Sequence, residues 1–134
     1  MRGLPGSGKS TIAQFLMEGL KFIGRAVICS TDQYFIKDGE YRFDKTRLGS
    51  AHTWNRCRVD DCMRDRIDFI IVDNTNTTND EMKPYELMAR DYGYEIQYIT
   101  VGRFDDESVK TYCDRNKHGV PMESIIRMQE RFKL

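Results

Sequence analysis

The sequence carries no surplus charge. Its 21 lysines and arginines are matched by 21 aspartates and glutamates, so the formal net charge is zero. Such a chain does not gather nucleic acid by bulk attraction, and any polyanion it handles must be gripped by a few placed cations. No apolar run approaches the roughly 20 residues that cross a bilayer, and no apolar signal-like segment opens the chain. Internal repeats, low-complexity tracts and linkers are also missing. Cys29, Cys57, Cys62 and Cys113 form no CxxC pair. That favours reduced thiols packed in the core of a cytoplasmic protein over zinc or disulfides. No second metal ligand is spaced to join His118, which reads as structural or solvent-facing. With 134 residues, 40% of them hydrophobic, the chain can build one core but not two, so residues 1–134 read as a single domain.

What is present alternates between helix and strand patterns. Ile12, Phe15, Leu16, Leu20 and Ile23 fall on one helical face, and Gly24 closes that helix. Ala26–Cys29 and Phe69–Val72 are short apolar runs that suit buried strands. Between them residues 44–66 read as a helix, with Leu48, Trp54 or Asn55, Val59, Cys62, Met63 and Ile67 along one side. Of the aromatic and amide neighbours there, Trp54 is the expected core anchor. A helix over residues 80–92 should turn Met82, Tyr85, Met88 and Ala89 inward, with Pro84 near its first turn. Residues 94–101 alternate and read as the last strand. Residues 105–115 and 121–132 make two closing helices, with Pro121 at the first position of the second. The alternation predicts an α/β fold, a three-layer α/β/α arrangement on a parallel sheet.

The segment Gly3-Leu4-Pro5-Gly6-Ser7-Gly8-Lys9-Ser10 matches GxxxxGK[ST] in full. Its glycines let successive N–H groups turn inward toward phosphate oxygens, and the following helix adds its positive dipole end. Lys9 should reach the β- and γ-phosphates, and the Ser10 hydroxyl should ligate Mg²⁺. Gly3, Pro5, Gly6, Ser7, Gly8, Lys9, Ser10 and Thr11 are therefore the expected nucleotide contacts. A buried strand normally precedes such a loop, yet only Met1 and Arg2 stand before Gly3, so the first strand is expected to be truncated or missing. Asn116-Lys117-His118-Gly119 resembles a guanine-reading segment but has Gly119 where the base-reading carboxylate belongs, which points to ATP.

In open α/β sheets, functional residues gather at the carboxyl ends of strands. Asp32 follows the strand Ala26–Cys29 and Asp73 follows Phe69–Val72. One carboxylate there can take the proton of an acceptor hydroxyl and another can hold a Mg²⁺-bound water. Asp32 is the expected base and Asp73 the expected metal residue, although either could merely cap its turn. Arg115, at a helix end before a glycine-containing loop, is placed to swing over phosphates. The polar run of residues 73–79 is either an acceptor-facing loop or a turn ending in a helix cap. Residues 34–43 interleave aromatics with Lys37 and Arg42. Such a stretch either stacks a base beside a backbone phosphate or packs its aromatics beneath a compact surface loop. His52, Trp54 and Asn55 lie where they could face the same cleft.

Taken in order, GLPGSGKS, CSTDQYF, YRF, AHTWN, VDNTN, EMKPY and RNKHGVP resemble the P-loop proteins related to bacteriophage polynucleotide 5′-kinase and, among them, the Nedd-binding-protein-2-like branch. The resemblance spans nearly the whole chain; its motifs are individually weak but specific in their order and spacing. Animal 2′,3′-cyclic-nucleotide phosphodiesterases carry a more distant relative of this domain. The resemblance implies that Asp32 is the general base for a 5′-hydroxyl and that Arg115 belongs to a lid clamping the donor phosphates. It departs from the viral kinase at Phe35, where that family has an arginine for the acceptor phosphate. The expected function is ATP-dependent phosphoryl transfer to a hydroxyl, foremost the 5′ end of DNA or RNA. The alternatives are a kinase of a nucleoside or other small molecule, and an ATP-binding or ATP-hydrolysing switch module.

Overall fold

The computed structural model describes residues 1–132. Helix α1 (Lys9–Leu20) leads into β1 (Ala26–Cys29), and a short hairpin follows from β2 (Ile36–Lys37) and β3 (Glu40–Tyr41). Then come α2 (Leu48–Arg64), β4 (Phe69–Val72), α3 (Asn79–Tyr92), α4 (Asp106–Arg115) and α5 (Met122–Arg131). Strands β1 and β4 pair in parallel, with Ala26 opposite Phe69 and Cys29 opposite Val72. Both Asp32 and Asp73 therefore emerge at the same end of the sheet.

Ahead of the phosphate loop, Met1 and Arg2 are paired on both sides. Met1 N donates to Val72 O at 2.9 Å on one side. On the other, Arg2 forms a single parallel bridge with Thr100, through Arg2 N to Ile99 O and Val101 N to Arg2 O. These two residues thus lie between β4 and the 94–101 segment, and Gly3 follows them directly. Residues 94–101, expected as a strand, keep only that bridge. A strand needs a ladder partner, and the neighbour here offers one residue.

One face of the sheet is covered by α2 and α3 through Cys29, Val59, Met63 and Ala89, with Val27, Cys62, Ile70, Tyr85 and Met88 packed around them. On the other side α1 buries Ala13. The apolar face expected of α1 is largely open: Ile12, Phe15 and Ile23 are 39%, 69% and 74% exposed. The helix also ends at Leu20, ahead of Gly24, which closes the turn that follows. A second cluster joins Leu4, at the start of the phosphate loop, to Val109, Tyr112 and Ile125 of α4 and α5.

Several finer expectations need correction. Leu48 is 38% exposed, whereas Asn55 is fully buried and donates from Nδ2 to the Tyr85 hydroxyl at 3.0 Å. Trp54 is only half-buried, lying edge-on to Tyr34 with the Arg58 guanidinium over its ring. The indole covers the edge of the acceptor-side loop, and the amide takes the core position. Pro84 lies beyond the first turn of α3, where the helix continues through it. Pro121 caps α5 instead of occupying its first position. All four cysteines are free thiols, but Cys57 faces solvent and is no core residue. Among the described residues no helix is long and apolar enough to cross a membrane.

Candidate active site

The phosphate loop closes on itself before any ligand is considered. Gly6 has φ 78° and Gly8 φ 98°, left-handed values that side-chain-bearing residues adopt only with strain. Gly6 is also hemmed in, since a Cβ there would strike the backbone of Tyr112 in α4. The glycine therefore serves packing as well as curvature. Gly8 is the N-cap of α1 and makes no side-chain cap bond, which leaves the helix's first N–H groups to the loop's interior.

Lys9 is 9% exposed and donates from Nζ to Leu4 O at 2.9 Å. Burial holds its pKa below the ordinary lysine value, while the carboxylates of Asp73 and Asp32 pull the other way. Both acids therefore lie within electrostatic reach of one ammonium. Ser7 Oγ, inside the loop, is buried with no hydrogen-bond partner among the described residues. Buried polar atoms of this kind are uncommon, and in a cradle of N–H groups and a lysine a hydroxyl suits an anionic oxygen.

Asp73 is 7% exposed, and its Oδ2 accepts from Ser10 Oγ at 2.7 Å. Its Oδ1 is buried without a partner among the described residues. A half-satisfied buried carboxylate is costly unless a cation completes it. The pair supplies two hard oxygens, and Mg²⁺ commonly takes only one or two protein ligands beside water and phosphate. The residues present thus fit such an ion. Among the described residues no larger group of His, Cys, Asp or Glu could hold a metal by itself.

Asp32 sits in a short 3₁₀ turn after β1 that Ser30 and Gln33 close as a capping box, with Ser30 Oγ accepting from Asp32 N. Arg58 of α2 braces Gln33 through its side chain. Behind the turn, Thr31 N donates to Asn74 Oδ1 at 2.9 Å, which ties the loop after β1 to the loop after β4. Asn74 and Asn55 both donate to the Tyr85 hydroxyl, at 3.3 and 3.0 Å. Thr31 Oγ1 also meets His52 Nδ1 at 3.3 Å. Burial, and Arg56 to a lesser degree, lower the His52 pKa; Glu81 and Asp32 oppose them. The polar run after Asp73 is therefore in part a support for Asp32. Thr78 at its end caps α3, accepting from Glu81 N.

The carboxylate of Asp32 is about half exposed and is met from two sides. Tyr41 of β3 donates its hydroxyl to Oδ1 at 3.2 Å. His118 Nε2 lies 3.4 Å from Oδ2. The Tyr41 and His118 rings are 4.1 Å apart between centroids. Burial, together with the negative Asp32, pushes the Tyr41 phenol well above its ordinary pKa, so it stays a donor. His118, expected to be structural or solvent-facing, instead reaches the candidate base. Only its place in the same short loop as Arg115 hinted at this.

Arg115 ends α4 and makes no ion pair among the described residues; its Nη2 lies 4.0 Å from where a Cβ on Gly8 would stand. It is thus a cation held at the mouth of the phosphate loop. The loop beyond it is braced by Asn116, which donates from Nδ2 to Cys113 O and Val120 O and accepts from Val120 N at Oδ1. That amide is engaged by its own loop, not held out for a base. Phe35 is 3% exposed and packs edge-on among Tyr34, Tyr41 and Phe43, whereas Phe43 is 49% exposed. A cavity of about 420 Å³ beside it is lined in part by Lys37, Arg42 and Arg47.

Thr11 is exposed on the first turn of α1, and Pro5 is half-buried in the loop. The structure brings together Lys9, Ser10, Asp73, Asp32 and Arg115 around one end of the sheet. Such an arrangement can hold a phosphate chain, a hard cation and a proton acceptor at once.

The chain is similar to known proteins over nearly its whole length. Residues 1–134 match the AAA domain family. The chain is 41% identical over 133 residues to NEDD4-binding protein 2 from Homo sapiens, a match covering 99% of this chain and 7% of that protein. It is 27% identical over 135 residues to the 2′,3′-cyclic-nucleotide 3′-phosphodiesterase of Rattus norvegicus, covering 96% of this chain and 29% of the enzyme. The corresponding Mus musculus enzyme is 31% identical over 116 residues, covering 82% of this chain and 26% of that one. The chain therefore spans less than a third of each of these relatives.

Proposed function

The chain belongs to the AAA domain family, with an α/β P-loop fold of nucleotide-binding, kinase-like type, and on that premise we propose that it transfers the γ-phosphate of ATP to a hydroxyl, foremost the 5′-hydroxyl of a polynucleotide. The observation that carries the reading is the convergence on Lys9. Its ammonium feels one carboxylate bonded to Ser10 and a second, accessible one at Asp32. An accessible carboxylate beside the phosphate loop suits a proton acceptor for an incoming hydroxyl.

In this reading the phosphate loop and Lys9 hold the β- and γ-phosphates, and Arg115 covers them from α4. Ser10 and Asp73 would hold Mg²⁺, which when bound offsets charge on the transferred group. Asp32 takes the proton of the acceptor hydroxyl as its oxygen bonds to the γ-phosphorus. The bond from that phosphorus to the β–γ bridging oxygen breaks, and ADP leaves with the electron pair. Most of the acceleration comes from positioning and fixed charge. The names of the phosphodiesterase relatives refer to nucleotides, which supports an acceptor that contains one.

Phe35, buried among aromatics, favours a second reading. No cation stands at that position for an acceptor phosphate, and a nucleoside or small metabolite would need none.

The test is transfer from γ-labelled ATP to oligonucleotides with 5′-hydroxyl ends, with Asp32→Asn and Lys9→Ala beside the parent chain. Label on the oligonucleotide, lost in both variants, is the expected result. ATP binding without label on any oligonucleotide would remove the polynucleotide reading and direct the search to small acceptors.

A further inference from the structure

We propose that His118 is a positioning residue that ties the lid carrying Arg115 to the Asp32 carboxylate, so that the donor side and the acceptor side of the site close together. The inference rests on the phosphoryl-transfer reading for its chemical meaning, but not for the contact itself.

Arg115 and His118 belong to one short segment, three residues apart. Asn116 makes that segment stiff, because its side chain spans the loop from Cys113 O to Val120 N and O. A rigid loop that holds one cationic side chain at Gly8 and one imidazole at Asp32 cannot move at one end alone. Tyr41 completes the arrangement from the hairpin side, bonding Asp32 Oδ1 and lying against the His118 ring. Tyr41 donates to Oδ1, while His118 Nε2 stands 3.4 Å from Oδ2. An ionised carboxylate has about four acceptor positions, so the acceptor hydroxyl still finds a lone pair while the carboxylate plane is fixed. The His118 contact, at 3.4 Å, is long for a hydrogen bond, as catalytic contacts often are before substrate tightens them. Its donor is an Nε2–H, which the neutral Nε2-protonated tautomer and the imidazolium both supply.

The arrangement gives the enzyme a reason not to waste ATP. Asp32 is fully oriented only when the lid is down over the phosphates, and the lid is held down in part by Asp32.

The experiment uses the full chain with His118→Ala, His118→Gln, Asp32→Asn and the double variant His118→Ala/Asp32→Asn. Single-turnover transfer from ATP should fall about 10-fold to 100-fold in His118→Ala, the range seen when a supporting group is lost. ATP affinity should stay within about twofold, and His118→Gln should recover much of the rate through its N–H. Because Asp32→Asn is itself expected to abolish transfer, dependence on that carboxylate is read from hydrogen exchange instead of from the rate. A wild-type rate in His118→Ala, or exchange that quickens additively in the double variant, would overturn the proposal while leaving the kinase reading intact. Hydrogen exchange of amides in residues 116–120 provides an arm independent of turnover. Exchange should quicken equally in His118→Ala and Asp32→Asn, with no addition in the double variant. If the parent chain moves phosphate to no hydroxyl, the kinase reading fails, and unchanged exchange in Asp32→Asn would then dismiss the lid coupling as well.

Discussion

The Ser10 hydroxyl donates to the Asp73 carboxylate at 2.7 Å, joining the first turn of α1 to the end of β4. The other Asp73 oxygen is buried and has no partner among the described residues. The pair thus presents one satisfied and one unsatisfied carboxylate oxygen, and under the proposed reading a cation would complete it.

Asp73→Asn keeps an acceptor for Ser10 but removes the charge. Transfer should fall about 10-fold to 100-fold at fixed Mg²⁺, with part of the loss regained at higher Mg²⁺. Titrating activity against Mg²⁺ in both proteins checks this, and identical curves would free Asp73 from any metal role.

Gly6→Ala and Gly8→Ala separate backbone strain from packing. Both positions have positive φ, which costs an alanine about 1–2 kcal/mol. At Gly6 the new Cβ would also strike Tyr112, whereas at Gly8 it meets only Arg115 at 4.0 Å. Overpacking adds about 1–3 kcal/mol, so Gly6→Ala should be clearly the less stable variant by urea denaturation. Equal losses would mean that α4 yields to the new atom.

Lys9 makes stability depend on pH with a definite sign. Burial lowers its folded-state pKa below the ordinary value of 10.5, so the unfolded chain binds more protons between the two values. Stability from this group is lowest where Lys9 is charged in the fold, and it rises with pH through that window. Lys9→Met should therefore be more stable than the parent near neutrality, with the gap narrowing toward pH 10.5. Denaturation midpoints of both proteins across alkaline pH provide the measurement.

Tyr85→Phe removes the oxygen that accepts from both Asn55 and Asn74. Leaving buried amide donors unpaired costs about 1–3 kcal/mol. Asn74 also holds Thr31 N beside Asp32, so the rate of transfer should drop as well, with ATP affinity kept. Calorimetry and single-turnover rates on one sample test both halves. A stable variant with a slow rate would place the residue's role in the site alone.

What could be read from the sequence was local. The phosphate loop is eight contiguous residues whose glycines and lysine act through their own backbone, and α1 follows at once. Asp32 and Asp73 were legible because each closes a short apolar run, and parallel pairing of β1 with β4 puts such ends together. The inward faces of α1 and α2 were read less well. Periodicity marks which residues share a face, but not whether another element covers it, and Phe15 stays exposed. Trp54 is the larger and more apolar residue, yet Asn55 is buried because Tyr85, far away in sequence, offers it a partner.

The sequence by itself determined the phosphate cradle, the two strand-end acids and the α/β pattern, since each arises from interactions between near neighbours. Only the tertiary structure decided that His118 and Tyr41 flank Asp32 and that Tyr112 lies against Gly6. Those contacts join distant segments, and no periodicity encodes where the loops between them turn.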